Sequence, residues 1–242
     1  MATMRNSITA SVLLIILAAL TAAYFAASVE RKKSMNQKAP LKSGAEIVQL
    51  PRPRYESNNS VEQALLERRS IRQYRNEPLS LDDLGQLLWA AQGITYKGIY
   101  RTAPSAGALY PLETYAIAGN VANLPAGIYR YIPFVHKLTL IRSGDIRQKL
   151  SNACLSQTSI LKAPASLVFC AVFARTTGKY GTRGIRYVHM EVGSVAQNVS
   201  LQAVSLNLGT VAIGAFDDKA VHRELSIPPE EEPLLVMSIG KN

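Results

Sequence analysis

Residues 165–173 read ASLVFCAVF and residues 187–207 read YVHMEVGSVAQNVSLQAVSLN, and the reading of these two stretches decides the fold. The first is a short run, apolar except for Ser166, with no wet face, which predicts a strand buried on both sides. In the second, Val188, Val192, Val195, Val199, Ala203 and Leu206 recur at steps of three or four, the period of a helix with one apolar stripe. Gly209 supplies the stop.

Outward from this pair, strands and helices mix without a regular βαβ rhythm. Ser60 followed by Gln63 reads as a capping box opening a short helix that ends in Glu67-Arg68-Arg69-Ser70. Ser80 with Asp83 opens a second helix, in which Leu81, Leu84, Leu87, Leu88 and Ala91 keep helical spacing up to Gly93, with Gly85 an interior weak point. Strands are expected at 112–118, 127–132, 137–141, 210–213 and 234–239, and further helices at 144–155 and 217–225. The fold class is α+β.

The chain has 242 residues, 27 Lys+Arg against 17 Asp+Glu, and 48% apolar side chains. That length and apolar content build a core without staples, which excludes a disulfide scaffold and general disorder. Cys154 and Cys170 match no metal or redox spacing and read as small core hydrophobes. The formal charge of +10 invites a nucleic-acid partner, but its distribution argues against one. The first 54 residues hold eight Lys/Arg and two acids, and no basic stripe follows.

Residues 8–27 are uncharged and twenty long, ITASVLLIILAALTAAYFAA, enough to span a bilayer as a helix. Arg31, Lys32, Lys33, Lys38 and Lys42 follow it, so the positive-inside rule places the rest on the cytoplasmic side. The competing reading is a signal segment cut near 26–28, with export. The expected organisation is an anchor or signal segment over 1–29, a Pro- and Lys-bearing tether over 30–59 and one globular domain over 60–242.

Absent motifs narrow the chemistry. No GxSxG, Walker loop or GxGxxG occurs, and His136, His189 and His222 form no paired metal motif. His189, on the long helix, reads as structural. Three features remain. Arg68, Arg69, Ser70 and Arg72 concentrate guanidinium forks and a hydroxyl at a helix end, which suits a phosphate or else a solvated helix terminus. Pro104, Ser105, Ala106, Gly107 and Ala108, between two prolines, form either a rigid loop on which a flat ring could lie or an ordinary long turn. At 209–216, GTVAIGAF, a strand gives way to a helix capped by Asp217, exposing backbone N–H groups or simply turning.

Taken in order, RRSIRQY, PSAGALYP, KYGTRGIRY, QNVSLQAVSLNLG and the terminal GAF resemble the FMN-dependent nitroreductase family, and within it the SagB-type branch that includes azoline dehydrogenases. The resemblance covers 60–241 and implies a mixed central sheet flanked by helices. It places the FMN phosphate on Arg68, Arg69, Ser70 and Arg72, the isoalloxazine on Pro104, Ser105, Ala106 and Gly107, and the donor toward flavin N5 on Gly214 or Ala215. Lys241 stands where the family has a basic residue. Ala108 replaces an asparagine of the broader family, and the Glu-Gly common in its reductases is missing.

The azoline dehydrogenases use a Lys-Tyr pair, matched by Lys179 and Tyr180. A lysine whose pKa burial lowers can take a proton while the phenol positions or relays one as hydride passes to N5; the bland alternative is an exposed KYG turn. The resemblance also implies a homodimer with sites at its interface, to which the stripe of the 187–207 helix would contribute. The expectation is a membrane-anchored FMN oxidoreductase acting on a small-molecule or peptide substrate. An NAD(P)H-dependent nitro- or quinone-reductase, and a non-catalytic flavin-binding membrane partner, stand as alternatives.

Overall fold

The computed structural model describes residues 18–23, 26 and 46–242. It divides into two units, Met1–Pro40 and Leu41–Asn242. In the first, residues 18–23 and 26 are helical, and the rest of the 8–27 stretch lies outside the described residues. The membrane-anchored placement is corrected here: no helix among the described residues is long and apolar enough to cross a membrane.

The second unit is built on seven strands: β1 (Ile47–Gln49), β2 (Leu112–Ala118), β3 (Gly127–Ile132), β4 (Lys137–Ser143), β5 (Ala165–Ala171), β6 (Leu208–Ile213) and β7 (Glu232–Lys241). They form one sheet in the order β1-β4-β3-β2-β5-β7-β6. Every pair of neighbouring strands is antiparallel, so the mixed sheet expected is corrected to an antiparallel one. The parallel element beside β6 is a single bridge, Ser70 to Thr210. β1 lies within the segment read as a tether.

The sheet is covered on both faces. On one, α1 (Val61–Glu67), α2 (Leu81–Gln92) and α6 (Arg183–Ser205) flank a core containing Leu112, Ala116, Leu167, Phe169, Leu84, Leu88, Val188, Val195 and Val199. On the other, α3 (Arg147–Ala153), α4 (Thr158–Lys162) and α7 (Asp218–Leu225) pack over Tyr115, Ile117, Val168 and Cys170. Alternate residues of β5 thus point into two different cores, which is why its sequence lacks a polar period. Both cysteines are buried and free; burial pushes the Cys154 thiol up to about 12.

The stripe of α6 is spent inside this core, so it is closed to a partner chain. The helix starts four residues earlier than expected, at Arg183. The N-caps form as read, Ser60 Oγ accepting from Gln63 N, Ser80 Oγ from Asp83 N and Asp217 from Ala220 N, but the reciprocal arm of the Ser60–Gln63 capping box does not, since Gln63 Nε2 donates to Glu67.

Candidate functional site

Two clusters gather the residues the sequence singled out. The first lies along β6, the last strand of the sheet. Residues after α1 leave the helix in extended form and run beside this edge: Ile71 N donates to Thr210 O at 3.0 Å and Arg75 N to Lys241 O at 2.9 Å. Gly209 lets them approach, since a Cβ there would lie 2.6 Å from the Ile71 side chain. The Tyr74 hydroxyl reaches Ile71 O and Ser238, fastening the segment to β7; burial pushes that phenol up to about 12.

Along this edge Ser70 and Arg72 are exposed and Arg68 is half-buried. The Arg68 and Arg72 side chains make no hydrogen bond or ion pair with any described residue. Arg69 differs: its Nη1 donates to Leu66 O and Arg68 O, closing the end of α1. Lys241, paired in register with Leu208, forms an ion pair with Glu77 at 2.9 Å, both side chains well exposed. Gly214 and Ala215 follow β6, exposed, and open space surrounds the Cβ position of Gly214. From Ser70 opposite Thr210 to Gly214 is roughly 13 Å at strand rise.

The second cluster is the loop before β2. Gly107, Ala108 and Tyr110 all take positive φ, at 62°, 52° and 47°. Two non-glycine residues in the left-handed region mark strain that the surroundings must hold, a feature that concentrates at functional sites. Ser105 Oγ accepts from Tyr110 N at 2.9 Å, Arg175 Nη1 donates to Tyr110 O at 3.0 Å, and the Arg101 guanidinium lies 4.5 Å from the Tyr110 ring centre.

Against this loop stands the end of α5 (Ala174–Tyr180), so the KYG stretch is the last turn of a helix, with Gly181 at φ 56° ending it. A Cβ on Gly107 would lie 2.8 Å from Tyr180 Oη and 3.1 Å from Lys179 Nζ, so both side chains converge on this glycine. The Tyr180 ring packs edge-on against Tyr187 at 5.2 Å. Lys179 is exposed in the single chain; the burial invoked for its activation is absent. Among the described residues no hydrogen bond, ion pair or ring contact joins the β6 cluster to the loop cluster.

Sequence reasoning missed the polar layer behind the loop. Glu113 takes Arg175 Nη2 at 2.5 Å and Arg130 Nη2 at 2.8 Å; Arg130 also reaches Glu231 at 3.4 Å, which accepts from Tyr115 Oη at 2.7 Å. Burial pushes the Glu113 carboxyl up, but the Arg130 and Arg175 charges outweigh it and hold it below the ordinary range. Glu191 of α6 is 4% exposed, and neither its Oε1 nor Gln92 Nε2 has a hydrogen-bond partner among the described residues. Its carboxyl is pushed up to about 7 by burial, against the pull of the nearby Ser105 and Gln92 dipoles and the Arg101 charge. The signal for Glu191 was legible: it falls three residues after Val188, inside the apolar stripe. The long-range ion pairs left none.

His189 is exposed beside the Phe173 ring and lines, with Thr177, Ile185, His222 and Glu231, a cavity of about 660 Å³. His136 is structural, bonded to Tyr131 Oη and Pro51 O.

The chain thus combines an antiparallel sheet covered on both faces, a strained small-residue loop, and guanidinium groups at one sheet edge that make no hydrogen bond or ion pair with any described residue. The nitroreductase profile matches residues 65–241, and the chain belongs to the nitroreductase family, whose cofactor is FMN. A protein of Methanocaldococcus jannaschii that carries the nitroreductase name is 46% identical over 181 residues, 75% of this chain and 90% of that one. A solved Ralstonia eutropha structure of the same naming superposes at a TM-score of 0.71, with 31% identity over 81% of this chain and 89% of the other. The Escherichia coli microcin synthetase McbBCD complex, solved with truncated pro-MccB17 bound, contains a chain that matches at a TM-score of 0.63 and 27% identity, over 80% of this chain and 77% of that one.

Proposed function

We propose that this chain is an FMN-dependent dehydrogenase of the SagB-like branch, oxidising an azoline-type ring or a related organic substrate. The observation that carries the reading is the convergence of Lys179 Nζ and Tyr180 Oη on Gly107, in a loop held in a strained conformation. Bound FMN supplies an acceptor for hydride at N5. The residues along β6 suit its phosphate: Arg68 and Arg72 offer unengaged forks, Ser70 a hydroxyl, and Lys241 a cation whose exposed partner is readily exchanged. Arg69 contributes charge, its fork being directed at carbonyls. Gly214 and Ala215 offer backbone N–H groups where no side chain intrudes. Pro104, Ser105, Ala106 and Gly107 form a small-residue floor for a ring. Once a second copy covers it and burial lowers its pKa, Lys179 takes the proton released as the substrate loses hydride, and Tyr180 orients that proton's path.

The two clusters each hold part of this site. A homodimer completes it: one copy's loop, with Lys179 and Tyr180, meets the β6 edge of the other, giving two equivalent sites under a twofold axis.

The test is the visible spectrum of the purified full chain, followed by anaerobic addition of a peptide carrying one thiazoline ring or of NADH or NADPH. The expected result is a yellow protein bleached by the peptide, with bleaching slowed about 100-fold but still measurable in Lys179→Ala and slowed less in Tyr180→Phe. Bleaching by a nicotinamide alone, indifferent to Lys179→Ala, replaces this reading with that of a nitro- or quinone-reductase. A colourless protein that takes up no FMN overturns both.

A further inference from the structure

We propose that Arg175 is a positioning residue that fastens α5 to the strained loop, so that Lys179 and Tyr180 meet Gly107 in a fixed arrangement. This rests on the reading of Lys179 and Tyr180 given above. Arg175 precedes Lys179 by four residues, about one helical turn. Its two outer nitrogens serve different masters: Nη1 donates to Tyr110 O at 3.0 Å, Nη2 to Glu113 Oε1 at 2.5 Å. The first bond acts on a residue at φ 47° whose own N–H is held by Ser105 Oγ, so both backbone polar groups of the strained residue are tied down.

The second bond anchors the guanidinium to the body of the sheet. Glu113 lies in β2, its side chain 13% exposed, and its other oxygen is taken by Arg130, which in turn reaches Glu231. Glu113 therefore has little freedom to follow Arg175 if α5 shifts; α5 must conform to the loop. A planar fork with fixed spacing can serve a carbonyl and a carboxylate together, whereas an ammonium group is a single point donor. Lysine at 175 keeps the charge and loses the fork.

The experiment uses the full chain and has two readouts. In the cofactor-free protein, amide hydrogen exchange of residues 105–110 is expected to quicken about tenfold in Arg175→Lys while exchange in β5 stays at the wild-type rate. In the FMN-loaded protein, the donor that reduces the wild type is expected to do so with kcat lowered about 10- to 100-fold and KM within a factor of about three. That loss should disappear in a Lys179→Ala background, since a positioning residue has nothing to position there. Glu113→Gln, which keeps the shape, should reproduce the effect in weaker form. Unchanged exchange in the loop overturns the proposal, as does a kcat loss that persists undiminished without Lys179. If Lys179→Ala leaves turnover intact, the reading of the Lys-Tyr pair fails instead, and the exchange data then decide separately whether Arg175 holds the loop.

Discussion

Gly107 occupies a left-handed conformation with two functional groups where its Cβ would be, so alanine there meets two penalties. A non-glycine residue in that region costs about 1–2 kcal/mol. The obstructing atoms are the flexible ends of Tyr180 and Lys179, which move aside. Gly107→Ala should therefore fold, with Tm lowered by roughly 2 to 8 °C, and should displace the pair; a variant with wild-type flavin reduction would remove the site from this glycine. Glu191 offers a second test at the same scale. Its carboxyl is raised from 4.5 to about 7 by burial, so the folded state holds more protons than the unfolded state between those values. Stability on this account is complete below pH 4.5, falls as pH rises, and has lost its full share above pH 7, at most about 3 kcal/mol. Glu191→Gln should gain on the wild type as pH rises from 5 to 8; a Tm gap that stays constant over that range would show that Glu191 does not titrate there.

Among the elements, β6 carries the most testable chemistry. If the free forks beside it hold a phosphate, each contributes a charge-assisted bond of about 1.5–3 kcal/mol, and Arg72→Ala or Arg68→Ala should weaken FMN binding about 10- to 100-fold. Titration of FMN fluorescence measures it; Arg69→Ala, whose fork already serves the end of α1, should change it less. The elements were legible where local physics decides them. The stripe of α6 and the unbroken apolar run of β5 each bury what their periods predict. Ser60, Ser80 and Asp217 cap as read, because capping is a contact over three residues. Sheet direction was not legible, since strand order is set by crossovers between distant segments. The KYG stretch read as a possible turn because Gly178 and Gly181 flank it, yet α5 continues through the first and stops at the second, held by Arg175 to partners 62 and 65 residues away. Sequence singled out Arg68, Ser70, Arg72, Gly107, Lys179 and Tyr180 as candidates but not Arg175 or Glu113, and the division of the candidates into two clusters is a property of the tertiary fold.

For the whole molecule, that separation makes assembly the decisive question. The stripe of α6 is consumed in the core, so a dimer needs other apolar surface. α1 offers it: Val61, Leu65 and Leu66 are 64%, 54% and 68% exposed, while Ala64 alone of that helix is buried. A short helix with three large apolar side chains in water is costly for an isolated chain, and it immediately precedes Arg68, Ser70 and Arg72. If a second copy covers α1 and the segment from Arg68 to Arg72 holds the FMN phosphate, the interface and that segment are covalently continuous, and dimerisation and FMN retention must fail together. Leu66→Glu should convert a dimer to a monomer in sedimentation velocity, and the monomer should lose its visible spectrum on gel filtration at concentrations where the wild type keeps it. The substitution lies on an exposed position, so the fold itself should survive, with far-ultraviolet circular dichroism unchanged. A wild-type chain that sediments as a monomer while retaining stoichiometric FMN would show that one copy suffices, and that the β6 edge and the Gly107 loop do not share a flavin across an interface.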